Sequence, residues 1–308
     1  MVWQLSAELM LYVLAGVYLQ KRQLVGRDFE KQLSALLLEV VLPVMIVRSM
    51  QIELTADDLR NCAFLLLLCA GWTLFSFLFG QGLWRLFGKG ATGRIFRFGS
   101  IFTNFTFIGL PVMNAAFDGQ TVFYFTVYVI PLRIALYAFC EQIMTPPERY
   151  TGSGGFSWRK LCSAPLIAVA AGITLCLLGV RFPAALDTAM GGISALSLPL
   201  GMMVCGLIIG KFPLGQVFSL KALLMTLIRN LLLPGLALLV CRSLGLTAPV
   251  ARCVVMCAAF PVGTLLATFA TKYDGCEQSR YESAGAVIFS HLAASLTIPL
   301  WVWLLSIP

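Results

Sequence analysis

NFTFIGLPVMNAAFDG (104–119) and AAFPVGTLLATFATKYDG (258–275) are the two stretches of this sequence that decide its fold. Each carries a proline, Pro111 or Pro261, inside an apolar run that also holds small and hydrogen-bonding residues. Proline removes a backbone donor and frees a carbonyl group. At membrane depth, irregular backbone persists only where protein or a water-filled cavity satisfies it. We therefore predict a helix break at each proline and a functional centre where the two breaks meet.

The rest of the chain has the composition of a membrane protein. Of its 308 residues, 59% belong to the hydrophobic set and only 12% are charged, whereas globular domains carry about 25% charged residues. The mean hydropathy is +0.88. Since a membrane helix needs about 20 apolar residues, the chain has room for a series of spans with short loops. A large soluble catalytic domain is excluded.

Proline, glycine and charge clusters divide the chain into ten predicted spans. They lie at about 5–20, 33–49, 61–86, 95–117, 121–144, 161–180, 188–210, 217–241, 249–271 and 282–306. The first is read as a span and not as a cleaved signal peptide, because its basic residues follow the apolar stretch. We predict a first five-helix unit at residues 1–144, a cytoplasmic linker at 145–160 and a second five-helix unit at 161–308.

Basic residues indicate the orientation in the membrane. Loops that follow the odd-numbered spans hold fifteen lysines and arginines, against four in the loops that follow the even-numbered spans. Because cytoplasmic loops carry the excess of Lys and Arg, we expect both termini outside, in the plasma (inner) membrane. The net charge of +8 comes from these scattered residues, so no nucleic-acid partner is expected.

Prolines also recur between the two units. The pairs are Pro43 with Pro199, Pro111 with Pro261, and Pro131 with Pro299, at offsets of 156, 150 and 168 residues. Five spans are an odd number, so the second unit enters the membrane from the opposite side and the repeat is inverted. Inverted repeats with interrupted helices are typical of secondary transporters. For the first and third pairs, simple helix kinks stay an equal alternative.

The two quoted stretches, together with RNLLLPG (229–235), resemble the auxin efflux carrier family of membrane transporters. The likeness runs from GVYLQKRQLV (16–25) through LEVVLPVMI (38–46) to the last span. It implies an all-α polytopic membrane protein with ten transmembrane helices, arranged as two inverted five-helix repeats. It further implies that helices 4 and 9 are broken and cross at mid-membrane, similar to the fold of bile-acid symporters and sodium/proton antiporters. In that family the crossover holds the substrate, usually a small organic anion.

The resemblance has two departures. The loop between the fifth and sixth spans covers only 145–160, while plant members often have a long hydrophilic loop there. Family members frequently have an asparagine shortly after the second crossover proline, where this chain has Gly263 and Thr264. The crossover and its charged neighbours are the predicted substrate site: Asn104, Gly109, Pro111, Asn114, Pro261, Gly263, Thr264, Arg229, Asn230 and Arg133.

Arg229 is the first candidate for an anion ligand, because guanidinium offers a planar, permanently charged fork to a carboxylate. The equal alternative is an arginine that snorkels to the membrane surface. Arg133 lies near the middle of the fifth span, where it either binds the anion or pairs with Glu39. Glu39 and His291 are candidates for ion coupling, with structural roles as the alternatives.

The function predicted from these features is secondary transport of a small organic anion by alternating access. A transporter-fold sensor that binds a ligand without net transport is the alternative. Cys253 and Cys257 have no histidine at zinc-ligand spacing, and no Gly-x-Ser-x-Gly motif accompanies the one histidine of the chain. We therefore expect no enzyme activity, no metal, and no cofactor beyond Na+ or H+ coupling. The expected partners are the substrate and the lipid bilayer, and a homodimer stays open.

Overall fold

The computed structural model describes residues 2–26, 28–52, 55–150, 163–212 and 218–306. Within these ranges the chain is helical, and its one pairing of extended backbone is an isolated antiparallel bridge between Thr103 and Val262. Six helices are long and apolar enough to cross a membrane, and three shorter helices are also apolar. The prediction of an all-α polytopic membrane protein is confirmed at this level. Arg27 and the 151–160 part of the predicted linker lie outside the described residues.

The described helices are numbered in chain order. They are α1 (Val2–Lys21), α2 (Phe29–Ser49), α3 (Ala56–Leu86), α4 (Ala91–Ile101), α5 (Phe105–Ala116), α6 (Gly119–Met144), α7 (Ala164–Leu177), α8 (Ala184–Gly210), α9 (Leu220–Ser243), α10 (Ala248–Ala259), α11 (Leu265–Phe269, followed by a π-helical turn, Ala270–Asp274) and α12 (Glu277–Leu304). Short non-helical stretches separate α4 from α5 and α10 from α11.

Three helices widen into a π-helical turn just before a proline. The turns are Leu37–Val41 before Pro43, Phe105–Gly109 before Pro111, and Ile228–Leu232 before Pro234. A proline cannot donate to the carbonyl four residues earlier and its ring clashes there, and a π-helical turn supplies the wider spacing. Near Pro234 the carbonyl freed in this way, that of Asn230, accepts a 2.8 Å hydrogen bond from the indole of Trp301.

The first helix break does not lie at Pro111, so that prediction is wrong. Residues 102–104, which lie outside the helices, make the break, while Pro111 is the seventh residue of α5, where the preceding π-helical turn accommodates its missing donor. Pro261 does lie in the break between α10 and α11, as predicted. Phe102 and Phe260 each end a half-helix in extended conformation. The matching offset between the two breaks is therefore 158 residues and not 150.

Glycines bring three helices into backbone contact. A Cβ atom added at Gly206 in α8 would lie 2.1 Å from the Val13 carbonyl oxygen of α1. One added at Gly201, also in α8, would lie 2.2 Å from the Phe107 carbonyl oxygen of α5. Small residues allow such close approach between membrane helices. As a result, α8 packs directly on α1 and also on the helix that follows the first break.

Ion pairs at opposite ends show that α2 and α8 run antiparallel. Arg48 near the end of α2 pairs with Asp187 near the start of α8, at 2.9 Å. At the other end of the molecule, Lys211 just after α8 pairs with Glu30 near the start of α2. These two helices carry Pro43 and Pro199, the first of the predicted proline pairs.

Candidate functional site

The two breaks are joined by backbone hydrogen bonds. The Asn104 N–H donates to the Pro261 carbonyl at 2.8 Å, and the Gly263 N–H donates to the Phe102 carbonyl at 3.1 Å. The Thr103 hydroxyl donates to the carbonyls of Phe260, at 3.0 Å, and Pro261. These bonds satisfy polar backbone that the helix ends leave unpaired. Consequently, the adjoining ends of α4, α5, α10 and α11 meet at one point.

Asn104 organises the start of α5. Its side-chain oxygen accepts a hydrogen bond from the Phe107 N–H at 3.1 Å, and its backbone carbonyl accepts one from the Gly109 N–H at 2.9 Å. An asparagine is well suited to capping a helix N-terminus in this way. Its amide nitrogen lies 3.0 Å from Nε2 of His291. Asn104 is thus engaged on both sides and is only 3% exposed.

The hydrogen bonds of His291 define a neutral imidazole. Nδ1 lies 2.7 Å from the Val287 carbonyl, which can only accept, so Nδ1 carries the proton. Nε2 faces the amide nitrogen of Asn104, which can only donate, so Nε2 is the acceptor. A second proton on Nε2 would break this bond. In this arrangement the histidine holds the Asn104 side chain in place.

Arg229 lies behind the breaks and donates to three backbone carbonyls. Nε bonds to Phe260, and the two terminal nitrogens bond to Ser100 and Cys257, each at 3.0 Å. These carbonyls belong to the C-terminal ends of α4 and α10, where a helix carries partial negative charge. Arg229 is 1% exposed, so it does not snorkel. The structure gives it the geometry of a shared cap for two half-helices.

A cavity of about 120 Å³ lies on the other side of the breaks. Its lining contains Leu38, Phe98, Phe102, Thr103, Asn104, Phe105, Thr106, Phe107, Arg133, Leu136, Tyr137, Gly263, Thr264 and Leu265. Four predicted site residues are among them: Asn104, Arg133, Gly263 and Thr264. Three further polar residues line the cavity: Thr103 and Thr106, which lie among the hydrogen-bonding residues near Pro111, and Tyr137, which the sequence analysis missed. Tyr137 follows Arg133 by four residues on one helix, a spacing that places both on the same face.

Arg133 brings an uncompensated charge to this cavity. Its guanidinium lies 5.2 Å from the centre of the Phe105 ring, in cation–π geometry, and the residue is 7% exposed. Among the described residues, no carboxylate pairs with it and no acidic side chain lines the cavity. The pairing considered with Glu39 is not formed, because Glu39 is exposed on the outer face of α2.

The other predicted site residues do not line the cavity. A Cβ atom added at Gly109 would lie 3.0 Å from the Phe260 ring, so this glycine allows α5 to approach the second break. Asn230 donates to the Ser290 carbonyl at 2.8 Å and joins α9 to α12. Asn114 is half-buried further along α5. These positions belong to the packing around the site.

Comparison with known proteins identifies the family of the chain. A family model described as "Membrane transport protein" matches residues 2–302. No curated protein matches the chain. The match covers nearly all of the chain, including both breaks and the cavity between them. The chain therefore belongs to the auxin efflux carrier family of membrane transporters.

Proposed function

We propose that this transporter moves a small organic anion of the carboxylate class, with Arg133 as the charge partner of the anion. The observation that carries the proposal is the unpaired guanidinium in the cavity beside the two helix breaks. An ionisable side chain at membrane depth is costly and normally faces a partner or a functional cavity. No acidic side chain of the described residues offers that partner, so a carboxylate ligand supplies the missing charge.

Neutral groups around Arg133 support the orientation of such a ligand. Hydroxyl groups of Thr106, Thr264 and Tyr137 line the same cavity. Asn104 and Thr103 are committed to hydrogen bonds within the crossover, so their role is to shape the wall. A guanidinium binds a carboxylate through two parallel hydrogen bonds, and the hydroxyl groups then select among carboxylates. The small cavity favours a small substrate.

The proposed architecture has ten transmembrane helices in two inverted five-helix repeats. In this description α4 with α5 forms the fourth span and α10 with α11 the ninth. The antiparallel course of α2 and α8 supports the inversion, because these helices carry the matched prolines. The equivalent positions of Phe102 and Phe260 at the two breaks support it as well.

Alternating access follows if one group of helices rocks against the other around the cavity. Gly201 brings α8 into direct contact with the carbonyl of Phe107, a residue of the cavity lining, so a movement of α8 against α5 would change the cavity. We place the protein in the plasma membrane with both termini outside, from the charge bias of its loops. Neither Glu39 nor His291 lines the cavity, so coupling to Na+ or H+ is measured directly in the uptake experiment.

Proteoliposome uptake tests the proposal. The full chain is reconstituted, and uptake of labelled small carboxylates is measured with and without a sodium or proton gradient. We expect saturable uptake that Arg133→Ala abolishes and that Arg133→Lys retains in part, because lysine keeps the charge and loses the fork. Arg85→Ala is the matched control, since Arg85 is exposed and lines none of the cavity.

Two outcomes would contradict the proposal. Binding without flux, seen as substrate-dependent thermal stabilisation of a chain that transports nothing, would favour the sensor alternative. Unchanged uptake by Arg133→Ala would move the anion site away from the cavity.

A further inference from the structure

Two adjoining cavities lie between α3, α4 and α6, on the face of α6 that points away from Arg133. The first is a groove of about 460 Å³, and its lining contains Ala70, Thr73, Leu74, Phe77, Arg97, Pro131, Ala135, Phe139, Gln142 and Ile143. The second, of about 220 Å³, lies nearer the helix ends. The two share Arg97, Gln142 and Ile143. Arg97 therefore stands at their junction.

The first cavity is an apolar groove on the surface of the bundle. Leu74 and Phe139, on its two walls, are 62% and 42% exposed. Both belong to helices long and apolar enough to cross a membrane. Exposed apolar side chains of such helices face hydrocarbon. The groove is accordingly open to lipid acyl chains along its length.

The second cavity is polar and basic. Its lining contains Trp84, Arg94, Arg97, Gln142, Ile143, Thr145, Pro147 and Tyr150. The charge of Arg94 is neutralised by Asp274, whose carboxylate lies 2.6 Å from the guanidinium. Arg97 has no such partner. Among the described residues, no acidic side chain lines either cavity and no ion pair involves Arg97.

Arg97 also has hydrogen-bonding capacity to spare. It is half-buried, and its guanidinium lies 5.4 Å from the centre of the Trp84 ring. The Nε group of Arg97 and the indole N–H of Trp84 are both buried without an acceptor among the described residues. Buried donors normally have partners. A cation and two unpaired donors thus converge where the polar cavity opens into the apolar groove.

The position of Arg97 along its helix corresponds to the edge of the hydrocarbon layer. It follows Ala91, the first residue of α4, by six residues, which at 1.5 Å per residue is about 9 Å. At the same end of the molecule, α3 ends at Leu86 and α6 at Met144. A basic pocket between membrane helices at this depth has the chemistry that recognises an anionic lipid headgroup.

We propose that these two cavities bind one anionic phospholipid, with its phosphodiester on Arg97 and an acyl chain in the groove between α3 and α6. The continuity of the basic cavity with a hydrocarbon-facing groove is the reason to choose a lipid over a free phosphate. The site is separate from the Arg133 cavity and does not depend on what the protein transports.

The test uses the purified full chain in detergent. Binding of phosphatidylglycerol is compared with that of phosphatidylcholine bearing the same acyl chains, by native mass spectrometry and by thermal stabilisation. We expect the anionic lipid to bind more tightly, and Arg97→Ala to weaken it roughly tenfold, the scale of one lost charge-assisted hydrogen bond. Arg85→Ala is the control, because it removes an exposed positive charge at the same end of the bundle and lines neither cavity.

A second variant tests the groove without changing the charge. Ala70→Trp fills the groove from the exposed surface of α3 and should weaken both lipids, with Arg97 intact. Three results would overturn the proposal: equal affinity for the two lipids, equal effects of Arg97→Ala and Arg85→Ala, or lipid binding that Ala70→Trp leaves unchanged. Displacement of phosphatidylglycerol by water-soluble glycerol phosphate at similar concentration would instead identify a site for free phosphates.

Discussion

Asp274 accepts a 2.6 Å hydrogen bond from the guanidinium of Arg94, and this ion pair is buried. It joins the start of α4 to the end of the turn that follows α11. At the opposite end of the molecule, Arg252 near the start of α10 lies 3.6 Å from Asp118, just after α5. The pair formed by α4 and α5 is therefore joined to the pair formed by α10 and α11 at both ends as well as at the breaks. The four half-helices are held together as one body.

The two ion pairs should contribute very differently to stability. Asp274→Asn leaves the Arg94 charge buried without a counterion, a change that costs about 3–5 kcal/mol. Asp118→Asn disturbs a pair whose side chains are partly exposed, and such pairs contribute about 0–1 kcal/mol. Thermal unfolding in detergent should show a large fall in Tm for the first variant and a small one for the second. Equal losses would show that burial does not distinguish the pairs.

Arg229 and Arg133 should separate folding from binding. Arg229→Ala leaves the buried carbonyls of Ser100 and Cys257 unpaired, each worth about 1–3 kcal/mol, while the Phe260 carbonyl keeps its bond from Thr103. The unliganded protein should therefore lose much of its stability. Arg133→Ala removes no hydrogen bond of the described residues and should leave that stability nearly unchanged while abolishing stabilisation by substrate. Melting curves with and without substrate check both statements. If Arg229→Ala instead abolishes stabilisation by substrate and Arg133→Ala lowers the stability of the unliganded protein, Arg229 is the anion ligand.

His291 should be replaceable by glutamine. The glutamine side-chain oxygen can accept the hydrogen bond from the Asn104 amide that Nε2 accepts now. We expect His291→Gln to keep both the transport rate and its response to a proton gradient, measured in proteoliposomes. His291→Ala should cost about 1–3 kcal/mol of stability, because the buried amide of Asn104 loses a partner. If the unchanged protein responds to a proton gradient and His291→Gln does not, the histidine has a role in proton coupling.

The contact at Gly201 should tolerate no side chain. A methyl group there would meet the Phe107 carbonyl at 2.2 Å and push α8 away from α5, and overpacking of this kind typically costs about 1–3 kcal/mol. Gly201→Ala should therefore lower both Tm and transport. Gly192→Ala is the control in the same helix, because no atom lies within 4 Å of an added Cβ. Similar behaviour of the two variants would argue against a tight contact.

Cysteine labelling checks the orientation. With both termini outside, cysteines introduced at Asp118 or Asp187 should react with an impermeant reagent applied to intact cells, and one at Glu148 should not. The exposed native thiol of Cys276 is first replaced by serine to lower the background. Reaction at Glu148 alone would reverse the proposed topology.

The sequence located one helix break correctly and misplaced the other, for a physical reason. Pro261 interrupts its helix, whereas Pro111 is accommodated by the π-helical turn that precedes it. The first break depends instead on Thr103 and Asn104, which bond to carbonyls more than 150 residues away. Local propensity contains no information about such distant partners, so the sequence did not show that these two residues, and not Pro111, make the break.

The two intramembrane arginines illustrate the same limit. In the sequence, Arg229 and Arg133 are both isolated basic residues near a proline. Their roles differ because Arg229 meets the ends of two other helices, while Arg133 meets an aromatic ring and open space. Glu39 was assigned no definite direction, and its neighbour Leu38 is the residue that faces the cavity. The sequence therefore predicted the helix and the region, and tertiary packing decided which side chain enters the site.

The unpaired Arg133 also makes the proposed transport electrogenic. An arginine stays protonated at any physiological pH, so binding a monoanion changes the charge of the cavity by one elementary unit. No acidic group of the described residues lines the cavity to offset this change. The loaded and the empty carrier therefore differ by one charge. Moving one elementary charge across a membrane potential of 100 mV changes the free energy by about 2.3 kcal/mol. Transport of the anion without a coupled ion carries an electric current. The membrane potential then affects the rate of transport in each direction.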